Sequence, residues 1–293
     1  MGELTVVVEK FSFLEGPRWR DGRIWVSDFY TEQVVSTDEH GADLRVEALV
    51  LAQPSGLGWL PDGRLLIVSM RDHRVLRREP NGELAVHAEL SEHATGLLND
   101  MVVDANGRAW VGNFGFDLMI GAPIAPAPLV RIDPDGRTTV ATEPLHFPNG
   151  AVISGTTLIV SETFGHRISA FDIAADGGLS PRRDWATFGA VPATTDVGEA
   201  LGQLSVAPDG MCLDAEGAVW IADALHNRAL RVREGGEVLQ EISTGDTGVY
   251  ALALGGDDGR TLYLCTAPGF AEHERRHTRE AKLLSTRVEV PGA

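Results

Sequence analysis

A short apolar run ending in a small or polar residue recurs six times along this chain. The copies are WVSD at 25–28, IVSM at 67–70, WVGN at 110–113, IVSE at 159–162, WIAD at 220–223 and YLCT at 263–266, with steps of 42, 43, 49, 61 and 43 residues. A period of this length is one supersecondary unit stacked on copies of itself, which restricts the fold more than any other feature here. Each run follows a turn dipeptide: Asp21-Gly22, Asp62-Gly63, Asn106-Gly107, Ser154-Gly155, Glu216-Gly217 and Asp258-Gly259. A second series lies further on, at His40-Gly41, Asn81-Gly82, Asp135-Gly136, Asp176-Gly177 and Gly235-Gly236. Such pairs supply the positive φ angles that two-residue hairpins need. Each unit therefore reads strand, turn, strand, loop, strand, turn, strand.

Four strands in roughly 40–50 residues make one propeller blade. Six units predict an all-β fold, a six-bladed β-propeller occupying residues 1–293 as a single domain. A sandwich would not repeat its register so regularly. The segment LTVVVEK at 4–10 belongs to no unit and is expected to close the ring by pairing with the last blade, removing an exposed edge.

Propeller blades run their first strand along the central axis. Counting back from each repeated run gives the start of that strand at Glu15, Ser55, Asn99, Asn149, Asp209 and Tyr250. In a ring these side chains converge at one mouth of the channel. Two carboxylates and two amide oxygens facing one another suit one divalent cation: calcium first by ligand type, with manganese, magnesium or zinc able to use the same oxygens. Turn chemistry alone accounts for Asn149-Gly150 and Asp209-Gly210 but poorly for Glu15-Gly16-Pro17, and it does not predict two acids at equivalent positions.

The ends of the second strands return to the same face. This places Asp28, Met70, Asn113, Glu162 and Asp223 near the rim, with Phe29, Tyr30, His73, Phe164, His166 and His226 beyond them. The apolar loop FGFDLMIGAPIAPAPL at 114–129, which begins with Phe114 and contains three prolines, and the long connection at 186–207 enter there too. An apolar lid over a cation suggests a small, rather hydrophobic substrate.

The motifs LEGPRW at 14–19, LLND at 97–100, FPNG at 147–150 and PDGMCLDAEGAVWIAD at 208–223, in this order, resemble the senescence-marker-protein, gluconolactonase and luciferin-regenerating-enzyme family over essentially the whole chain. The resemblance implies a six-bladed propeller whose calcium, zinc or manganese ion is held by Glu15, Asn149 and Asp209, with Asn99 facing the substrate. It also implies lactone hydrolysis. Sugar-lactone members usually carry Arg two residues before the Asn of the ND motif and Gly-Lys after it. Here those positions are Leu97 and Met101-Val102. Both changes remove polar contacts and point to a more apolar lactone or small ester.

The expected mechanism has the metal polarise the carbonyl and a water attack with Asp209 as base, Asn99 orienting the substrate. Leu97, Met70, Asn113, Phe114, His166 and His226 are the expected substrate contacts. His73, His166 and His226 are the candidates for a proton shuttle, with a plain surface role the simpler reading of each. The competing functions are a non-hydrolytic propeller enzyme of isomerase, hydratase or cyclase type, and a ligand-binding propeller without catalysis. The HExxH pattern at His273–His277 lies in a charged stretch and reads as a chance match.

Composition bounds the partners. The 25 basic and 42 acidic residues give a net charge of −17, which argues against nucleic acid and anionic membranes. Cys212 and Cys265 sit in apolar runs and read as buried free thiols. No basic-then-apolar leader opens the sequence, so a cytoplasmic protein is expected.

Overall fold

The computed structural model describes residues 3–293, which form six four-stranded antiparallel sheets. Blade one comprises Leu14–Arg20, Arg23–Asp28, Gln33–Thr37 and Arg45–Leu49. Blades two to five begin with Pro54–Trp59, Leu98–Val103, Pro148–Ser154 and Pro208–Leu213. Blade six draws three strands from the end of the chain, Gly248–Gly255, Thr261–Ala267 and Ala281–Arg287. Its fourth is Thr5–Phe11, which runs antiparallel to Ala281–Arg287 from Thr5 opposite Ser285 to Phe11 opposite Ala281. This is the expected closure, a six-bladed β-propeller whose two chain ends share a sheet.

All eleven glycines that close the turns named above adopt positive φ, as two-residue hairpins demand. The second strands Leu65–Ser69, Ala109–Asn113, Val219–Asp223 and Thr261–Ala267 are buried from end to end. Each lies between neighbouring strands of its own sheet and between adjacent blades, which is why the repeated runs are apolar throughout instead of alternating. Trp110, Trp220 and Tyr263 fill that space, and Trp25 meets Trp59 edge-on at 5.5 Å. The outer strands are far more exposed, as at Thr138–Val140.

Among the described residues helix is confined to a 3-10 turn at Leu118–Ile120 and short helices at Val197–Leu201 and Glu272–Arg275. Among the described residues no helix is long and apolar enough to cross a membrane. Both cysteines are free; Cys265 is buried and Cys212 partly so.

The inner strands approach most closely at their third residues. A Cβ on Gly150 would lie 2.7 Å from the Gly210 Cα, and one on Gly210 would lie 2.6 Å from the Ala251 Cα. Neither neighbour is a flexible side chain that could move aside, so only glycine fits. Gly210→Ala is expected to lower stability by about 1–3 kcal/mol in chemical denaturation. Gly63→Ala, with open space around it but a φ of +87°, is expected to cost about 1 kcal/mol. Equal, negligible losses would show that blade spacing tolerates a methyl group at the axis.

Candidate active site at the mouth of the central channel

Every inner strand carries a β-bulge near its start. The register shifts fall between Glu15 and Arg18, Pro54 and Leu57, Leu98 and Met101, Pro148 and Ala151, Pro208 and Met211, and Val249 and Ala251. A bulge breaks the alternation of side chains and re-aims those beside it. Glu15, Asn99, Asn149 and Asp209 consequently line one pocket at the axis. Ser55 is buried but does not line it. In blade six Tyr250 follows the Val249–Thr266 pair as Asp209 follows Pro208–Asp223, and it too reaches the pocket.

The floor of this pocket is electrostatically unusual. Glu15 and Asp209 are both buried, and neither forms an ion pair among the described residues. Burial holds Glu15 well above the usual carboxylate range, and the charges of Asp209 and Asp100 push it further. Asp209 is raised by burial and by Asp100, offset only in part by the Asn149 amide and the Gly210 N–H. The nearest arginine is already engaged: Arg18 Nη2 donates to Asp100 at 2.7 Å and to the Met101 carbonyl at 2.8 Å. Asn99 Nδ2 donates to the Pro148 carbonyl at 3.3 Å and Asn149 Nδ2 to Thr163 Oγ1 at 3.2 Å. Among the described residues neither amide oxygen accepts a hydrogen bond. Two carboxylates and two amide oxygens, buried and short of positive partners, could hold a hard divalent cation.

The walls are aromatic. Phe13, Phe29, Tyr30, Tyr250 and Phe270 line one side, with Phe13 centred 4.8 Å from Tyr250. Phe114, Phe147 and Phe164 line the other, with Phe114 and Phe147 at 4.5 Å. Six of the ten phenylalanines thus surround one cavity of about 80 Å³. Leu118, Met119 and Leu201 complete it from the two long loops, which the Ile124 N–H joins by donating to the Thr195 carbonyl at 2.8 Å. Among the described residues no Lys, Arg or His lines it.

The rim differs from the sequence expectation. Met70, Asn113, Asp28, Glu162 and Asp223 are fully buried within the blades and do not line the pocket. The residues just after the second strands do: Phe29 and Tyr30, Phe114, Thr163 and Phe164, Ala224 and Leu225. The acids instead brace the entries to the inner strands. Asp28 accepts from the Ser12 and Phe13 N–H groups at 3.1 and 2.9 Å, Glu162 from His146 at 2.9 Å, and Asp223 from Ala207 at 3.0 Å. These are the blades that carry Glu15, Asn149 and Asp209.

Three other expected substrate contacts also lie outside the wall. Leu97 borders a neighbouring groove with Arg71 and Glu272. His166 is buried, with Nε2 at 2.9 Å from Ser205 Oγ. His226 folds back onto Asp223 at 3.0 Å. In the HExxH segment the His273 side chain is 83% exposed on a four-residue helix, far from the long buried helix that motif requires. Sequence reasoning missed Thr163, Phe147 and Phe13; the last two stand two residues before Asn149 and Glu15, a spacing that could have marked them.

Six blades around an axial pocket, floored by acids and amides and walled by aromatic rings, define a propeller with an oxygen-donor site at its channel mouth. The chain belongs to the SMP-30/gluconolactonase/LRE-like family, whose model matches residues 13–268. It is 28% identical over 305 residues to the 6-deoxy-6-sulfogluconolactonase of Pseudomonas putida, covering 99% of this chain and 96% of that protein. Regucalcin of Danio rerio is 28% identical over 184 residues, 61% of this chain and only 57% of the relative's length. The calcium-binding protein regucalcin of Agrobacterium tumefaciens shares the fold, with a TM-score of 0.79 at 21% identity over 100% of this chain and 96% of that one.

Glu162 gives the fold a pH signature. Burial would raise the Glu162 carboxyl, but hydrogen bonds from Arg167, Ser169 and the His146 N–H outweigh it and hold it below its ordinary 4.5. A carboxyl lowered by folding stabilises the fold above its unfolded value and loses that contribution as pH falls through the folded one. Glu162→Gln is therefore expected to be markedly less stable than wild type at neutral pH. The gap should close as pH drops below about 4.5 in urea melts; a gap independent of pH would contradict the ionised network.

Proposed function

We propose that this protein is a metal-dependent hydrolase that opens a lactone or small ester, a relatively apolar one rather than a sugar lactone. The observation that carries the reading is the buried pair Glu15 and Asp209, without a cationic partner, beside the free oxygens of Asn99 and Asn149. Glu15, Asn149 and Asp209 would hold the ion, and their all-oxygen chemistry favours calcium, with zinc or manganese as alternatives. The calcium-binding description of the Agrobacterium relative and the lactonase name of the Pseudomonas one support this assignment. When bound, such an ion supplies Lewis-acid polarisation of a carbonyl and a more acidic water.

The chain's own residues supply the rest. Asp209 accepts the proton of the attacking water as its oxygen bonds to the carbonyl carbon. That proton then passes to the alkoxide released when the ring C–O bond breaks. Asn99, anchored through one amide proton to the Pro148 carbonyl, offers the other to the substrate. The aromatic walls bind the apolar part of the substrate and keep bulk water away, which strengthens every charge interaction inside. The aromatic walls, with no Lys, Arg or His among the described lining residues, support the apolar preference.

A lactone and ester panel, sugar-like and apolar, followed by pH indicator tests the reading. Chelated enzyme should be inactive, and calcium, manganese or zinc should restore hydrolysis, with kcat/KM higher for the apolar members. Conversion without acid release would favour an isomerase or cyclase, and ion binding without turnover a ligand-binding propeller. Asp209→Ala should lose all detectable turnover yet melt no lower than metal-free wild type, because it removes one of two buried like charges. An active variant would sink the role of Asp209.

A further inference from the structure

We propose that Tyr250 is a further catalytic residue, its hydroxyl donating a hydrogen bond to the alkoxy oxygen of the substrate as that oxygen leaves the carbonyl carbon. The inference rests on the hydrolase reading above and deepens it. Tyr250 lines the pocket together with Glu15 and Asp209. Its ring is held by Phe13 at 4.8 Å and by Phe270, edge-on, at 6.4 Å. A Cβ on Gly248 would lie 2.5 Å from the Tyr250 Oη, so the bare glycine leaves the space in which the hydroxyl sits. That hydroxyl has no hydrogen-bond partner among the described residues and, unlike the hydroxyl of Tyr263, it is not sealed in. Burial, and then the charges of Asp209 and Glu15, hold the phenol above its ordinary 10. At neutral pH it therefore keeps its proton and can donate.

An ester or lactone group has two oxygens to hold, and the lining has few free donors. Among the described residues the lining side chains with an N–H or O–H are Tyr30, Asn99, Asn149, Thr163 and Tyr250. Thr163 gives its proton to the Pro208 carbonyl at 2.8 Å. Asn149 donates to Thr163 Oγ1 at 3.2 Å and supports the Asp209 carboxylate. Tyr30 belongs to the rim: the Arg276 guanidinium lies over its ring at 5.7 Å, and after burial it is Glu272 that acts on its hydroxyl. Asn99 of blade three and Tyr250 of blade six remain, and in a ring of six these blades face each other across the axis. Asn99 stands among the floor oxygens, where the carbonyl oxygen is held. The Tyr250 hydroxyl reaches back toward Gly248, the first residue of its strand, and so lies nearer the mouth. As the C–O bond breaks, its electron pair stays on the alkoxy oxygen and the hydrogen bond from Tyr250 strengthens. The proton that completes the alcohol still comes from Asp209, so the phenol ends the cycle unchanged.

The test compares metal-loaded wild type and Tyr250→Phe on an apolar lactone and on the methyl and phenyl esters of one acid. A ring alkoxide and methoxide are poor leaving groups that need a donor, whereas phenoxide leaves readily. Tyr250→Phe is expected to lower kcat about 100-fold on the lactone and the methyl ester, with KM nearly unchanged. On the phenyl ester the loss should stay within about threefold, because help from a donor fades as the leaving group becomes less basic. Calcium affinity by titration calorimetry and the metal-free melting temperature should match wild type, since the lost hydroxyl holds neither the ion nor another residue. Gly248→Ala keeps the hydroxyl but displaces it; it should reproduce the selective loss, and it takes over should Tyr250→Phe not fold. Equal losses on both esters, no loss on any substrate, or weaker calcium binding by Tyr250→Phe would overturn the proposal. If wild type hydrolysed none of the three with calcium, manganese or zinc present, the hydrolase reading itself would fail, and this role with it.

Discussion

Two carboxylates from the first and fifth blades share one buried space, and much of the upper face is organised around that expense. Burying like charges without partners is costly, several kcal/mol per ion even after relaxation. The ring imposes it nevertheless, because inner strands packed around one axis, each with a bulge near its start, bring these side chains to the same end of the channel. The close approach of Gly150, Gly210 and Ala251 keeps that end narrow. The aromatic walls then remove water that would otherwise screen the pair.

The molecule uses acids in two opposite ways within a few ångströms. Asp28, Glu162 and Asp223 are fully buried yet well supplied: backbone N–H groups reach all three, and Arg167 and Arg228 reach Glu162 and Asp223 at 2.8 and 2.9 Å. They hold the segments that lead into the strands of Asn149, Asp209 and Glu15. Among the described residues the latter two acids have no arginine partner, only the N–H groups of Gly16 and Gly210 and the Asn149 amide. Function in this fold therefore separates from structure by what surrounds a carboxylate, since the residue types are the same.

The aromatic enclosure sets this chain apart from what its motifs alone convey. Phe13 and Phe270 lie near opposite ends of the sequence yet line the same cavity, because the N-terminal segment joins the last blade. With Leu118, Met119 and Leu201 closing the top, the pocket offers a substrate apolar contact everywhere except at its floor. That division, charge below and rings around, is the physical basis of the proposed preference for an apolar lactone or ester.

The sequence by itself determined the number of blades, their turns, the closing strand and the ring position of Glu15, Asn99, Asn149 and Asp209. Those features are local or periodic: a turn glycine must adopt positive φ wherever it stands, and a sixfold repeat brings equivalent residues together by symmetry. Only the tertiary structure decided which side chains form the wall. Met70 and Asn113 turned inward because the second strand is covered on both faces, while Phe29, Thr163 and Phe164, one or two residues on, turned toward the axis. Ser55, at the equivalent ring position, stayed outside the pocket that Tyr250 entered. The hydrogen bonds from Asn99 to the Pro148 carbonyl and from Thr163 to the Pro208 carbonyl cross from one blade to the next. No spacing within a single repeat encodes a bond of that kind, because its partner is supplied by the neighbouring blade.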